Sequence, residues 1–159
     1  MQNMSLLFFG LFIAVVHFFI VKKKATNKKG RFFELMLLYT LVFGVGIAGL
    51  MSFFGHVFYS DFIATKIGWP TGSPFQLEVG YSDGAWGVLG ILCIWFRKNF
   101  WLATGLGWSL FLIAAGCGHV KQLMVNGNFA PYNYGYIAPD LVLPVLILIL
   151  LLCNFKYNR

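Results

Sequence analysis

The stretch MSLLFFGLFIAVVHFFIVKKKATNKKGR, residues 4–31, decides the fold. From Met4 to Val21 its one ionisable side chain is His17, and the run comes close to the ~20 apolar residues that carry a helix across a bilayer. Positive charge follows at once, on Lys22, Lys23, Lys24, Lys28, Lys29 and Arg31. A signal peptide would place such charges ahead of the apolar run, where Met1-Gln2-Asn3-Met4-Ser5 has none. The order predicts a retained first helix, N-terminus outside, followed by a basic cytoplasmic loop over residues 22–31.

The rest of the chain repeats the theme. Of 159 residues, 59% are hydrophobic and 11% charged, with a mean hydropathy of +0.76. A soluble domain of that composition would expose large apolar patches, whereas lipid removes the problem. Further apolar runs predict helices at about 32–54, 74–96, 100–119 and 138–155. The expected fold is all-α, a single transmembrane domain of about five helices with two structured outer segments. The net charge of +7 does not read as a nucleic-acid surface, because the charges sit in short clusters between apolar runs. This topology puts all of the 12 Lys and Arg residues except Lys66 and Lys121 on the cytoplasmic side, with the C-terminus. Cys93, Cys117 and Cys153 lie scattered in apolar runs and form no CxxC pair.

Local signals refine the outline. Ser73-Pro74-Phe75-Gln76 predicts a capping box with proline in the first turn, opening the 74–96 helix. Gly80, Gly84, Gly87 and Gly90 give that helix a small-residue stripe, and it is expected at the centre of the bundle. Gly44, Gly46 and Gly49 would let a neighbour approach the second helix closely. Such faces also offer contacts to a second copy or to partner subunits. Val57–Ile67 predicts a short interfacial helix with Asp61 and Lys66 on its wet side. Gly44-x-Gly46-x-x-Gly49 matches a dinucleotide fingerprint by letters alone and is rejected, since no βαβ unit surrounds it.

Polar groups inside a membrane are costly, so each invites a functional question. His56, Glu78, Asp83, His119, Gln122 and Asp140 all fall toward the outer side. Helix-end electrostatics accounts for Glu78 and Asp140 in first turns and for His56 and His119 in last turns. Asp83 resists that account, lying ~13 Å along its helix from Pro74 at 1.5 Å per residue. It needs a partner, and a histidine from a neighbouring helix is the natural candidate. His56, His119, Glu78 and Asp83 are also the residues that would hold a metal, and the two histidines those that would hold a haem, although no HxxxH or ExxH spacing is present. His17 near Glu34 reads as a structural pair at the inner side, or as the other end of a proton relay.

Gly55-His56, the run Ile67-Gly68-Trp69-Pro70-x-Gly72-Ser73-Pro74-Phe75-Gln76-x-Glu78-x-Gly80, Gly118-His119 and Asn128-Phe129-Ala130-Pro131 together resemble a family of small bacterial membrane proteins of unknown function. WPxGSPFQxE is the most distinctive part, and the likeness covers about residues 50–150. It implies a multi-pass protein of the bacterial inner membrane. A weaker likeness to DoxX-like membrane families implies a four-helix core and redox neighbours. The expected function is binding, extending to translocation, of a small polar solute or ion in an outward-facing pocket. The pocket would be built from Asp83, Glu78, His56, His119, Gln122 and Asp140. An accessory subunit of a larger, redox-linked membrane complex is the alternative. A metal- or haem-dependent intramembrane enzyme comes last, since no nucleophile or cofactor motif is present and the residues assign no catalytic group. The partner common to all three is the lipid bilayer, and no nucleic acid is expected.

Overall fold

The computed structural model describes residues 2–158 and contains six helices: α1 (Gln2–Val21), α2 (Lys28–Phe58), α3 (Ser60–Ile67), α4 (Phe75–Leu92), α5 (Asn99–Asn126) and α6 (Pro131–Tyr157). Arg159, counted with the cytoplasmic charges, lies outside the described residues. Four helices, α1, α2, α5 and α6, are long and apolar enough to cross a membrane. Helix α4 is not among them, because Gln76, Glu78, Ser82 and Asp83 dilute its apolar run. It nevertheless runs the length of the bundle antiparallel to α2. Gln76 meets His56 near the end of α2, and Arg97, just past α4, bonds Glu34 near its start.

All the helices expected from the sequence exist, with shifted bounds. Helix α2 begins at Lys28 because the Asn27 side chain accepts from the Gly30 N–H at 2.9 Å, capping an orphan donor. Helix α4 stops at Leu92, earlier than expected. The chain then tightens into a turn, and the Trp101 indole donates to the freed carbonyl of Cys93 at 2.8 Å. The largest difference is at the outer side. Residues 131–137, read as part of a loop, form the first two turns of α6, with Pro131 at the first position. Pro139 therefore joins Pro144 in the interior of α6, where neither can donate a helical hydrogen bond to Gly135 or Asp140. The interfacial helix is shorter than expected, since the backbone breaks at Tyr59 (φ −129°, ψ 37°).

Helix α2, not α4, is central. It touches α1, α3, α4, α5 and α6, and 61% of its most apolar stretch is buried against 17% for α1. Its middle, Thr40–Ile47, is wound as a π-helix where α4 presses against it. A Cβ on Gly90 would strike the backbone of Gly46 and sit 2.9 Å from the Leu41 carbonyl, and one on Gly49 would sit 2.8 Å from the Asp83 carbonyl. The two helices thus meet backbone to backbone, as small-residue stripes in membranes permit. The glycines that could have served a partner chain here face each other within one chain. Around α2, Leu7, Leu37, Leu41, Val45, Trp101, Trp108, Leu112, Leu143, Ile147 and Leu150 form the core.

The basic segments gather at one end. Asn27 donates to the Tyr157 carbonyl (2.5 Å), Asn158 to the Gly30 carbonyl (2.9 Å), and Glu34 accepts from both Arg31 (2.8 Å) and Arg97 (3.0 Å). The expected His17–Glu34 pair does not form. His17 Nδ1 lies 3.0 Å from the Tyr39 hydroxyl instead, since the arginines take both oxygens of Glu34.

Candidate functional site

The opposite end holds His56, Gln76, Asp83, Asn133 and Asp140, all buried, on faces fixed by helical spacing. On α4, Gln76, Gly80, Asp83, Gly87 and Gly90 recur at intervals of four and three and are all buried. The stripe that lets α4 touch α2 therefore also carries an amide and a carboxylate into the interface. Facing them on α2 are Ser52 and His56, one turn apart. The Ser52 hydroxyl donates to Asp83 Oδ2 at 2.5 Å, and His56 Nδ1 donates to Gln76 Oε1 at 2.5 Å. Asp83 is thus partnered by a serine rather than by the expected histidine. Gly80 makes this possible, because a Cβ there would lie 3.0 Å from the His56 Cβ and 2.8 Å from Val57.

A second set joins α5 to α6. His119 Nδ1 donates to Asn133 Oδ1 at 2.8 Å, and its Nε2 faces Asp140 Oδ2 at 3.7 Å. Asn133 is fully buried, and its amide nitrogen donates to the carbonyls of Asn128 (2.8 Å) and His119 (3.3 Å). Asn128 in turn donates to the Ile67 carbonyl (2.9 Å), tying α3 to the α5–α6 connection. With Asp61 accepting from the Gly72 N–H (2.9 Å), these bonds form the outer cap.

Asp83 and Asp140 are each 5% exposed, and the Tyr136 ring stacks on His119 with centroids 6.5 Å apart. Among the described residues neither carboxylate pairs with a lysine or arginine. Gln76 contributes a further opening: its oxygen is used, while Nε2 is buried without a partner. Trp86 closes the floor, its ring against Gly107 and 6.0 Å from Trp108.

Of the six residues expected to form the site, the fold brings Asp83 and His56 together with Ser52 and Gln76, and His119 with Asp140. Glu78 and Gln122 are placed elsewhere. Glu78 is exposed on the far side of α4, as its position two residues from Gln76 requires. Gln122 helps end α5: its carbonyl accepts from Asn128 N–H at 3.1 Å, and its side-chain oxygen accepts from Asn126 at 2.8 Å. His56, His119, Glu78 and Asp83 therefore do not converge as one metal-ligand set, and among the described residues no three His, Cys, Asp or Glu side chains gather as a metal site. The expected capping box also fails, since Gln76 spends its side chain on His56. Ser73 Oγ accepts instead from the Phe75 N–H at 3.3 Å.

Ser52, Gln76, Asn133 and Tyr136 are the members that the sequence reading passed over. The signal for Gln76 was its place in the glycine stripe of α4. No comparable signal marked Asn133, which looked like a loop residue. No curated protein and no solved structure matches this chain, and nothing extends its kinship to DoxX-like proteins. A family model does match, across residues 2–159: the chain belongs to DUF6790, a family of unknown function.

Proposed function

We propose that the outer cluster binds a small polar solute or ion, cationic in character, with Asp83 and Asp140 as its counter-charge. One observation carries the reading: two carboxylates on different helices are buried at this end, and among the described residues neither has a lysine or arginine. A carboxylate buried in a bundle either takes up a proton and loses its charge or keeps its charge beside a cation. The free Nε2 of Gln76 adds a donor for an oxygen on the same solute, two turns away along α4. Ser52, His56 and His119 orient these groups, and the Tyr136 ring stacks on His119. Binding is favoured over passage because Trp86 and the core leucines fill the space beneath. In this reading the protein sits in the bacterial inner membrane, N-terminus outside, with the cluster facing out and the basic end in the cytoplasm.

Thermal unfolding of the detergent-purified protein tests the proposal. Lithium, sodium, potassium, ammonium and methylammonium chlorides would be compared with choline chloride at equal ionic strength. At least one should raise the Tm saturably, and Asp83→Asn or Asp140→Asn should abolish that rise. If no cation stabilises the wild-type chain beyond choline, the reading is wrong.

A further inference from the structure

A shallow, open groove of about 440 Å³ lies at the basic end, lined by Phe18, Lys28, Lys29, Phe32, Phe33 and Tyr157. Its aromatic wall is fixed. Phe18 and Phe32 meet edge to face at 5.3 Å, Phe33 stacks on Tyr157 at 5.3 Å, and the Asn27–Tyr157 and Asn158–Gly30 hydrogen bonds pin the chain beneath them. The rim carries the two lysines, both exposed and without an ion pair among the described residues. Among the described residues no acidic side chain is left to neutralise them. Of the chain's 5 acidic residues, Asp61, Glu78, Asp83 and Asp140 belong to the other end, and Glu34 is held by two arginines.

A cationic rim over an aromatic wall suits a ligand that is anionic at one end and apolar at the other. A bare anion would use the lysines and leave the rings wet. We propose that this groove binds one anionic glycerophospholipid, its phosphodiester on Lys28 and Lys29 and its glycerol and upper acyl chain against Phe18, Phe32 and Phe33. An open groove of this size leaves a headgroup in water while its rings cover the first carbons of a chain. The occupant is thus a component of the bilayer itself, held at a defined place rather than in a diffuse layer.

Native mass spectrometry of the full chain in detergent, with phosphatidylglycerol or phosphatidylcholine added, tests this. The wild-type protein should retain one phosphatidylglycerol, with a preference of roughly 10-fold or more over phosphatidylcholine. Lys28→Gln/Lys29→Gln should lose that preference. Lys23→Gln/Lys24→Gln removes the same charge outside the groove and should keep it. Equal loss in both double variants would reduce the effect to a general basic surface and overturn the proposal. So would displacement of the lipid by inorganic phosphate at equal concentration, which would mark the site as one for a bare anion. All four lysines are at the surface, so unchanged unfolding curves confirm that each variant folds.

Discussion

The two ends of the bundle handle charge in opposite ways. At the basic end it is plentiful and wet: Arg97, Arg31 and Glu34 keep 41%, 34% and 27% of their side-chain surface exposed. At the outer end Asp61, Glu78 and Lys121 are wet too, but two carboxylates are dry, with only 8% of the Asp140 side chain exposed and Asp83 buried. Wet charges cost little to place and return little when paired. Buried ones must be matched nearly atom by atom, and each unmatched atom leaves a free-energy deficit that a ligand can relieve. The basic end is suited to setting orientation and meeting headgroups. The outer end is suited to recognition.

If that contrast is right, Asn133→Ala should be the most damaging of the polar substitutions. It strips the acceptor from His119 Nδ1 and the donor from the carbonyls of Asn128 and His119, all in a fully buried position. The expected loss in denaturant unfolding is ~3 kcal/mol, from orphaned groups costing about 1–3 kcal/mol each. A loss below ~1 kcal/mol would mean that water replaces the amide, and the outer end would be no drier than the inner one.

Gln76→Met should behave differently, although Gln76 is equally buried. The change leaves the His56 N–H without its acceptor but also removes the orphaned Nε2. The two terms oppose, and stability should stay within ~1 kcal/mol of wild type. The saturable Tm rise with a cationic solute bearing an oxygen acceptor, such as ethanolammonium, should weaken because its donor is gone. A stability loss as large as that of Asn133→Ala would show that Nε2 already has a partner.

The sequence foretold the basic end more fully than the outer one, for a physical reason. Helix placement follows from local runs of apolar residues and flanking charges, which residues 4–31 display outright. The close α2–α4 contact was likewise legible in Gly46, Gly49, Gly87 and Gly90, because a missing side chain means the same thing in any context. Side-chain partners are set by tertiary register. Asp83 stood out as too deep for a helix end, yet its partner proved to be Ser52, a residue with no distinguishing mark in a run of phenylalanines. Gln76 reads as the last member of a capping box, because local spacing cannot show that His56 takes its side chain. Asn133 was hidden by its company of Pro131, Tyr132, Tyr134 and Gly135, which looks like a loop. Only packing against α5 makes it the first turn of a helix.

The smallest effect should come from the most visible ion pairs in the molecule. Glu34 bridges Arg31 and Arg97 at 2.8 and 3.0 Å and so links α2 to the turn after α4. All three side chains keep contact with solvent. Glu34→Gln removes the charge but leaves an oxygen that can still accept from one arginine. The cost should therefore be a few tenths of a kcal/mol and no more than about 1 kcal/mol, the range of partly exposed pairs. The difference should also vanish in about 1 M salt, where the screening length falls to ~3 Å. A larger, salt-insensitive loss would mean that the bilayer or the neighbouring headgroups dry this end of the bundle. The lysine rim beside it would then meet lipid phosphates in the same low-dielectric setting, and the difference between the two ends would be one of sign rather than of burial.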